Sequence, residues 1–315
     1  KTLTTYNEEE KIKNLLTSKL KKKKKANEII FVDGGSTDKT LEIISHHQKK
    51  SKTIKLLKEN CTRARGRNLG VELAQNETIA ITDAGCVADK EWLEKITHPF
   101  DKGKVDIVPR FYDKETNFPK PKALSFFLGV TPKGFGINFL PSTRSIAFKK
   151  SAWERVGGFP EEEENSAEDT EFNLKALSLG LKFARVKDAR VEWRIPEVGG
   201  GLRKIEEYAR WDAKNSHWKI LPKPAPSHNI KAILVFGRYL LGTFLFIYGF
   251  NFPFAHFLLG VGLFLYSLWV YRKVYSAFEE NTVALWGVVF QFLVDFSVMK
   301  GLIRGIFEKF APTMR

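Results

Sequence analysis

Cysteine is almost absent: Cys61 and Cys86 are the two in 315 residues. That scarcity excludes a disulfide framework, favours a reducing compartment and leaves no cysteine pair at metal-ligand spacing. No internal repeat is found, and the chain opens on a polar, helix-forming stretch without the apolar core of a cleavable signal peptide. It begins at Lys1 without an initiator methionine, so part of a natural N-terminus is expected to be missing. The net charge of +15 favours anionic partners. A basic helix with interleaved aromatics is lacking, however, which argues against nucleic acid.

Hydrophobic residues at 43% and charged residues at 28% make an ordinary globular average, but that average conceals a boundary. Charge is spread over residues 1 to about 225, whereas 230–311 reads as long apolar runs rich in Phe, Leu, Val and Gly. Two regions are therefore expected: a domain over 1–225, ending in an interfacial helix near 202–219, and a membrane domain over 230–315.

In the first region Ile12, Leu15, Leu16 and Leu20 recur at helical spacing behind an asparagine and three acids, so a helix follows directly on a short strand. Ile29-Ile30-Phe31-Val32 is a compact β-branched run that stops at Asp33-Gly34-Gly35-Ser36, and a helix is expected from about Thr37 to Lys50. The alternation continues with a strand at 53–57, a helix at 64–75, a strand at 78–82, a helix at 90–97 and a strand at 105–109. This predicts an α/β fold with a mostly parallel sheet covered by helices. Ligands of such sheets sit beyond the carboxyl ends of the strands, where helix N-termini converge. Three loops fall there, Tyr6-Asn7-Glu8, Asp33 to Asp38 and Asp83-Ala84-Gly85, and all combine acids with small or polar residues.

Four motifs carry chemistry. VDGGSTD ends a buried strand in the carboxylate of Asp33, which can accept hydrogen bonds from a base or ribose, and its glycines admit a nucleotide to the backbone. Ser36 or Asp38 equally suits a helix cap. RARGRNLG brings Arg63, Arg65 and Arg67 together before a helix, and guanidinium groups match phosphate oxygens. TDAGC offers Asp83. SAEDTEF sets Glu168 and Asp169 at a helix N-terminus, where the dipole stabilises their anionic forms and where acidic pairs are also common caps.

Taken in order, TTYNEEE, VDGGSTDKT, RARGRNLG, TDAGC and SAEDTEF resemble the inverting family 2 glycosyltransferases of the GT-A fold over about residues 1–220. The resemblance implies a Rossmann-like GT-A domain with a nucleotide-sugar site made by Thr5, Tyr6, Asn7, Glu8, Asp33, Arg67, Asp83, Ala84 and Gly85. In it Asp33 contacts the nucleoside, Tyr6 walls the base pocket and Arg67 reaches the diphosphate. Asp169, with Glu168 beside it, is implied as the general base. TDAGC departs from the pattern, because Gly85 stands where the family has a second aspartate. Mg²⁺ or Mn²⁺ takes oxygen ligands and can draw most of them from the donor's phosphates and water, so Asp83 is expected to hold the metal. Whether Cys86 or Asp89 substitutes for the missing carboxylate is left open. Glu207-Tyr208-Ala209-Arg210-Trp211 partly resembles the Gln-x-x-Arg-Trp motif of processive relatives, which assigns Arg210 to the diphosphate and Trp211 to the acceptor. A helix laying Trp211 and Trp218 at a membrane surface reads nearly as well.

Among the apolar runs, 230–250 carries Lys231 and Arg238, and 254–271 carries no charge beyond His256. Each approaches the roughly 20 apolar residues that span a bilayer. They read as two transmembrane helices turning at Asn251-Phe252-Pro253, a turn without Lys or Arg. Arg272 and Lys273 follow the second, and Arg203, Lys204, Lys219 and Lys223 precede the first. The positive-inside rule then predicts a multi-pass membrane protein with its first domain cytoplasmic. A third stretch, 283–310, contains Gln291, Asp295, Lys300, Arg304 and Lys309, which favours an interfacial or re-entrant helix over a third crossing. The Lys21 to Lys25 and Glu161 to Glu164 runs read as solvated loops, and His46-His47 as inert.

The expected function is transfer of one hexose-type sugar, with inversion, from a UDP- or GDP-sugar to a hydroxyl of a lipid or lipid-linked glycan. A polyprenyl-phosphate glycosyltransferase is the alternative, since a lipid phosphate attacks without a carboxylate base. A non-catalytic membrane scaffold is the second, motivated by the lost aspartate.

Overall fold

The computed structural model describes residues 1–20, 24–110, 113, 116, 118–129, 139–161, 168–193, 195–214 and 228–310. Lys21 to Lys23, Glu162 to Glu164, Trp218, Lys219 and Lys223 lie outside the described residues. In chain order the elements are β1 (Thr2–Thr5), α1 (Glu9–Leu20), β2 (Ile29–Asp33), α2 (Thr40–Lys50), β3 (Ile54–Lys58), α3 (Arg63–Glu72), β4 (Thr78–Ile81), β5 (Cys86–Ala88), α4 (Trp92–Lys102) and β6 (Ile107–Pro109). They continue with α5 (Pro119–Ser125), β7 (Ile146–Lys149), α6 (Lys150–Val156), α7 (Glu168–Ser178), β8 (Val191–Trp193), α8 (Val198–Lys214), α9 (His228–Tyr248), α10 (Pro253–Phe278) and α11 (Asn281–Phe310). Packing groups them into two units, residues 1–115 with 139–194, and residues 116–138 with 195–315.

The first unit holds a six-stranded sheet of order β3-β2-β1-β4-β7-β6 and a separate antiparallel pair, β5 with β8. The four strands β1 to β4 run parallel, as the alternation predicts, while β7 is antiparallel to both β4 and β6. Side chains alternate across β2 with the two-residue period of a strand. Ile29 and Phe31 pack with Leu3, Ile12, Leu15 and Ile44, while Ile30 and Val32 pack with Leu69, Ile79, Phe148 and Phe172. Both faces are therefore buried under helices, which explains why β2 reads as an unbroken apolar run. α3 lies against β1 because Gly66 has no side chain: a Cβ there would come within 2.6 Å of Thr4 Cγ2. That contact fixes Arg67, the next residue, beneath the strand ends. α2 starts at Thr40 rather than Thr37, with Lys39 at its N-cap and the Asp38 carboxylate just before it accepting from the Thr40 amide at 2.9 Å.

The second unit contains α5, α8 and three helices long and apolar enough to cross a membrane, Asn229–Tyr248, Pro253–Phe278 and Asn281–Phe310. Their large apolar side chains, among them Leu240, Phe244, Phe257, Phe264 and Phe307, are exposed on a scale that a water-facing surface does not sustain. This supports membrane association. α8 belongs to this unit and packs on α11 with the backbones nearly touching. A Cβ at Gly301 would lie 2.2 Å from Glu206 O and one at Gly305 2.1 Å from Arg210 O, the small-residue spacing that lets helices approach closely. Two of the charges that favour an interfacial reading of 283–310, Lys300 and Arg304, are partnered within this contact. Lys300 Nζ lies 3.0 Å from Glu206 Oε2, Arg304 also reaches Glu206, and Arg210 Nε donates to Glu308 at 2.7 Å. Because α11 is one continuous helix, length and composition no longer set it apart from α9 and α10.

Candidate functional site

The loops following β1, β2 and β4 meet beyond the carboxyl ends of the parallel strands. The first two are tied to each other by side chains. Asn7 Oδ1 accepts from the Thr37 amide at 2.9 Å, the Asn7 amide donates to Ser36 Oγ at 2.9 Å, and the Glu8 amide donates to Thr40 Oγ1 at 2.8 Å. Asn7 pays for this with a left-handed backbone, φ 49°. Asp33 holds its own turn: one carboxylate oxygen accepts from Ser36 Oγ at 2.6 Å and Thr5 Oγ1 at 3.2 Å, the other from the Ser36 and Gly35 amides. These bonds make Asp33 the centre of its own turn, next to which Tyr6 is 61% exposed.

The third loop is a tight turn in which the Cys86 amide donates to Asp83 O at 3.1 Å. Ala84 is buried in the core, and Gly85 occupies the turn. Asp83 is brought together with Glu168 and Asp169 by a single arginine. Arg67 is only 2% exposed; its Nη2 donates to Asp83 Oδ1 at 3.1 Å and its Nη1 to Glu168 Oε1. RARGRNLG points Arg67 toward the donor's diphosphate; in the structure its guanidinium fork bonds two carboxylates. Arg65 is committed on the surface to Glu59, Glu72 and Glu161. Asn68, beside Arg67, holds the α6–α7 connection by accepting from the Phe159 amide at 2.8 Å and donating to Phe159 O at 2.8 Å.

A residue that the motifs did not point to completes the cluster. Arg144, just before β7, has its Nε 4.0 Å from Asp83 Oδ2 and its guanidinium 4.6 Å above the Trp193 ring. No sequence pattern surrounds Arg144; its position follows from β7 pairing antiparallel to β4. The electrostatics separate the carboxylates. Burial pushes Asp83 up, but Arg67, Arg144 and Arg63 outweigh it and hold its carboxyl below the ordinary range. Asp169 is raised, by burial first and then by Glu168, against the pull of Arg67 and Arg144. One carboxylate is thus kept ionised and a neighbouring one is made more basic.

Among the described residues, no three His, Cys, Asp or Glu side chains gather as a metal cage. Cys86 is buried in the β5–β8 pair, and Asp89 accepts from the Glu91 amide at 3.2 Å. Asp83 keeps 30% of its side chain exposed and has one oxygen outside the Arg67 bond. The donor set fits a hard cation that brings most of its ligands with it, and Asp83 would hold it. Arg210 and Trp211 belong to the second unit. Arg210 is paired with Glu308 and Glu207, and Trp211 is 2% exposed, buried rather than laid on a surface.

Residues 2–156 match the family described as glycosyl transferase family 2. Over 229 residues, 70% of this chain, the sequence is 28% identical to the poly-β-1,6-N-acetyl-D-glucosamine synthase of Staphylococcus aureus. Over 245 residues, 74% of the chain, it is 27% identical to the same synthase from Staphylococcus epidermidis. The alignments cover 54% and 58% of those proteins, so the chain spans about half the length of the curated relatives it matches. The solved mannosyltransferase PcManGT from Pyrobaculum calidifontis, in complex with GDP-Man and Mn²⁺, shares the fold with a TM-score of 0.58 at 18% identity, covering 99% of this chain and 86% of that one. Residues 1–349 of S. aureus TarS do so with a TM-score of 0.50 at 21% identity, covering 98% and 89%.

Proposed function

Because this chain carries a glycosyl transferase family 2 domain of GT-A fold over residues 2–156, we propose that it moves a sugar from a nucleotide diphosphate donor to a hydroxyl, with inversion at the anomeric carbon. The observation that carries the reading is the convergence of Asp83, Glu168 and Asp169 on Arg67.

In this reading the Tyr6 to Glu8 loop and the Asp33 turn take the nucleoside. Arg144 and Arg63, which act on Asp83 beside Arg67, are the arginines that meet the diphosphate in this reading. Asp169 accepts the proton of the acceptor hydroxyl as its oxygen bonds to the anomeric carbon, and the bond to the diphosphate oxygen breaks on the opposite side. Single displacement gives inversion. Glu168 fixes Arg67, and Arg67 fixes Asp83, so the base and the phosphate end of the site are set by one ion-pair chain. Asp83 would hold a divalent cation brought in with the donor, and such a cation would supply positive charge for the leaving nucleoside diphosphate.

The acceptor proposed is a lipid or lipid-linked glycan, supported by the three apolar helices and by the relatives named as synthases of a polysaccharide. The first unit is proposed to be cytoplasmic, on the distribution of Lys and Arg about α9 and α10. The test is calorimetric titration of the detergent-solubilised chain with UDP and with GDP, each with and without Mn²⁺, beside Asp83→Ala. Metal-dependent binding of one nucleotide that the variant loses is expected, and no binding of either nucleotide would overturn the proposal.

A further inference from the structure

The second unit contains a cavity of about 650 Å³ among α8, α9, α10 and α11. Its wall is mostly apolar, with Val235, Trp269, Val294 and Val298 along it, yet Lys231, Arg238 and Lys273 also line it. The three cations are not equivalent. Arg238 is engaged: its Nη2 lies 3.5 Å from Asp295 Oδ1 and its guanidinium 4.5 Å over the Tyr266 ring. Asp295 is itself saturated, accepting from Tyr266 Oη at 2.7 Å, Gln291 Nε2 at 2.8 Å and Tyr239 Oη at 3.3 Å. Asp212, the other carboxylate on the wall, lies on α8.

Lys231 and Lys273 have no ion-pair partner among the described residues, and both line the cavity. Lys273 Nζ rests 4.9 Å over the Trp269 ring and 5.3 Å over that of Phe126. One lysine stands near the start of α9 and the other near the end of α10, so both mark the same end of the helical hairpin. Two like charges on the wall of one mostly apolar cavity call for an anion that carries hydrocarbon. Free phosphate would satisfy the lysines and leave the cavity empty, whereas a neutral acyl chain would do the reverse.

We propose that this cavity binds an anionic phospholipid of the surrounding bilayer, its phosphate on Lys231 and Lys273 and an acyl chain along Val235, Trp269 and Val294. The proposal does not depend on the sugar-transfer reading, and it rests on reading α9 to α11 as bilayer helices. Native mass spectrometry of the detergent-solubilised full chain tests it without any donor. Phosphatidylglycerol is compared with phosphatidylcholine of the same chains and with inorganic phosphate. Preferential retention of phosphatidylglycerol is expected, falling at least about tenfold in Lys231→Gln/Lys273→Gln and restored in Lys231→Arg/Lys273→Arg. Equal retention of the two lipids, retention of inorganic phosphate alone, or unchanged retention in a Gln/Gln variant that melts with the parent would overturn the site. Co-flotation of the parent with phosphatidylcholine liposomes checks the bilayer reading separately; failure to float would overturn that reading and the lipid site with it.

Discussion

Replacing Arg67 by methionine removes the one fully buried cation of the cluster while keeping a chain that fills the same channel. Its guanidinium bonds Asp83 and Glu168, and Asp169 also lies within its field. Breaking a buried pair by deleting one partner costs about 3–5 kcal/mol, because the charge left behind is uncompensated. Here Glu168 loses its partner and Asp83 keeps only Arg144 and Arg63, so that range applies. For a unit of this size a kilocalorie corresponds to about 2–4 °C in melting temperature, which puts the expected drop at roughly 6–20 °C.

The same loss carries a pH signature. In the parent Asp83 is depressed, so its contribution is present above the unfolded carboxylate range and is lost as pH falls through its folded value. In the variant Glu168 is left buried without Arg67 and Asp83 keeps only Arg144 and Arg63, so the protonated forms of both carboxyls are favoured relative to the parent. The variant's folded state then binds protons before the parent's does, and the deficit narrows as pH falls from 7.5 toward 5. Thermal unfolding followed by tryptophan fluorescence in detergent, at both pH values, reads the two effects together. Arg67→Lys should recover part of the stability, since a point charge cannot bridge two carboxylates as a fork does. A melting temperature within about 2 °C of the parent at pH 7.5, or a deficit that does not change with pH, would refute the reasoning.

Asp169→Asn should lower kcat by about 10²–10⁴ with little change in donor binding, and the parent's kcat/KM should fall as pH drops through a value above the ordinary Asp range, because the base must be deprotonated. Gly305→Leu should separate α8 from α11, since even a Cβ would lie 2.1 Å from Arg210 O; early melting in detergent without loss of nucleotide binding checks it. Glu28 is pushed up by burial but pulled down to about 2 by Lys55, Asn76 and the Gln75 amide. Its stabilisation of about 3 kcal/mol should therefore be present above pH 4.5 and drain away toward pH 2, and Glu28→Gln should melt lower at neutral pH with a flatter acid profile.

The parallel half of the sheet was legible because each of its strands is a β-branched or apolar run followed by a helix with its own period. The β5, β7 and β8 strands were not. They are three or four residues long, and their pairing joins segments far apart in the chain, as in Ala80 opposite Ala147 and Cys86 opposite Trp193. The same limit governs α11. Lys300 and Arg304 look costly in an apolar helix when read alone, and the acid that partners both, Glu206, lies more than 90 residues upstream on another helix. A helix's charge content has meaning for a membrane only together with the helix it packs on.

The site shows why a motif can name a residue type without saying what that residue faces. Carboxylate and phosphate each offer a guanidinium two oxygens on one atom, so RARGRNLG is equally consistent with Arg67 bound to a donor or to the protein. The choice is made by α7, which brings Glu168 to Arg67 from 101 residues away. The commitment changes the charge balance of the cluster. Arg67, Arg144 and Arg63 act on Asp83, with Glu168 and Asp169 beside it, so three cations already meet three carboxylates. A nucleoside diphosphate brings charge that this balanced set does not neutralise. It is best accommodated when a divalent cation enters with it, and Asp83, with one oxygen outside the Arg67 bond, is the carboxylate placed to receive that cation. Metal dependence in this site is therefore expected from the arginines as much as from the aspartate, even though Gly85 stands where the second carboxylate would be.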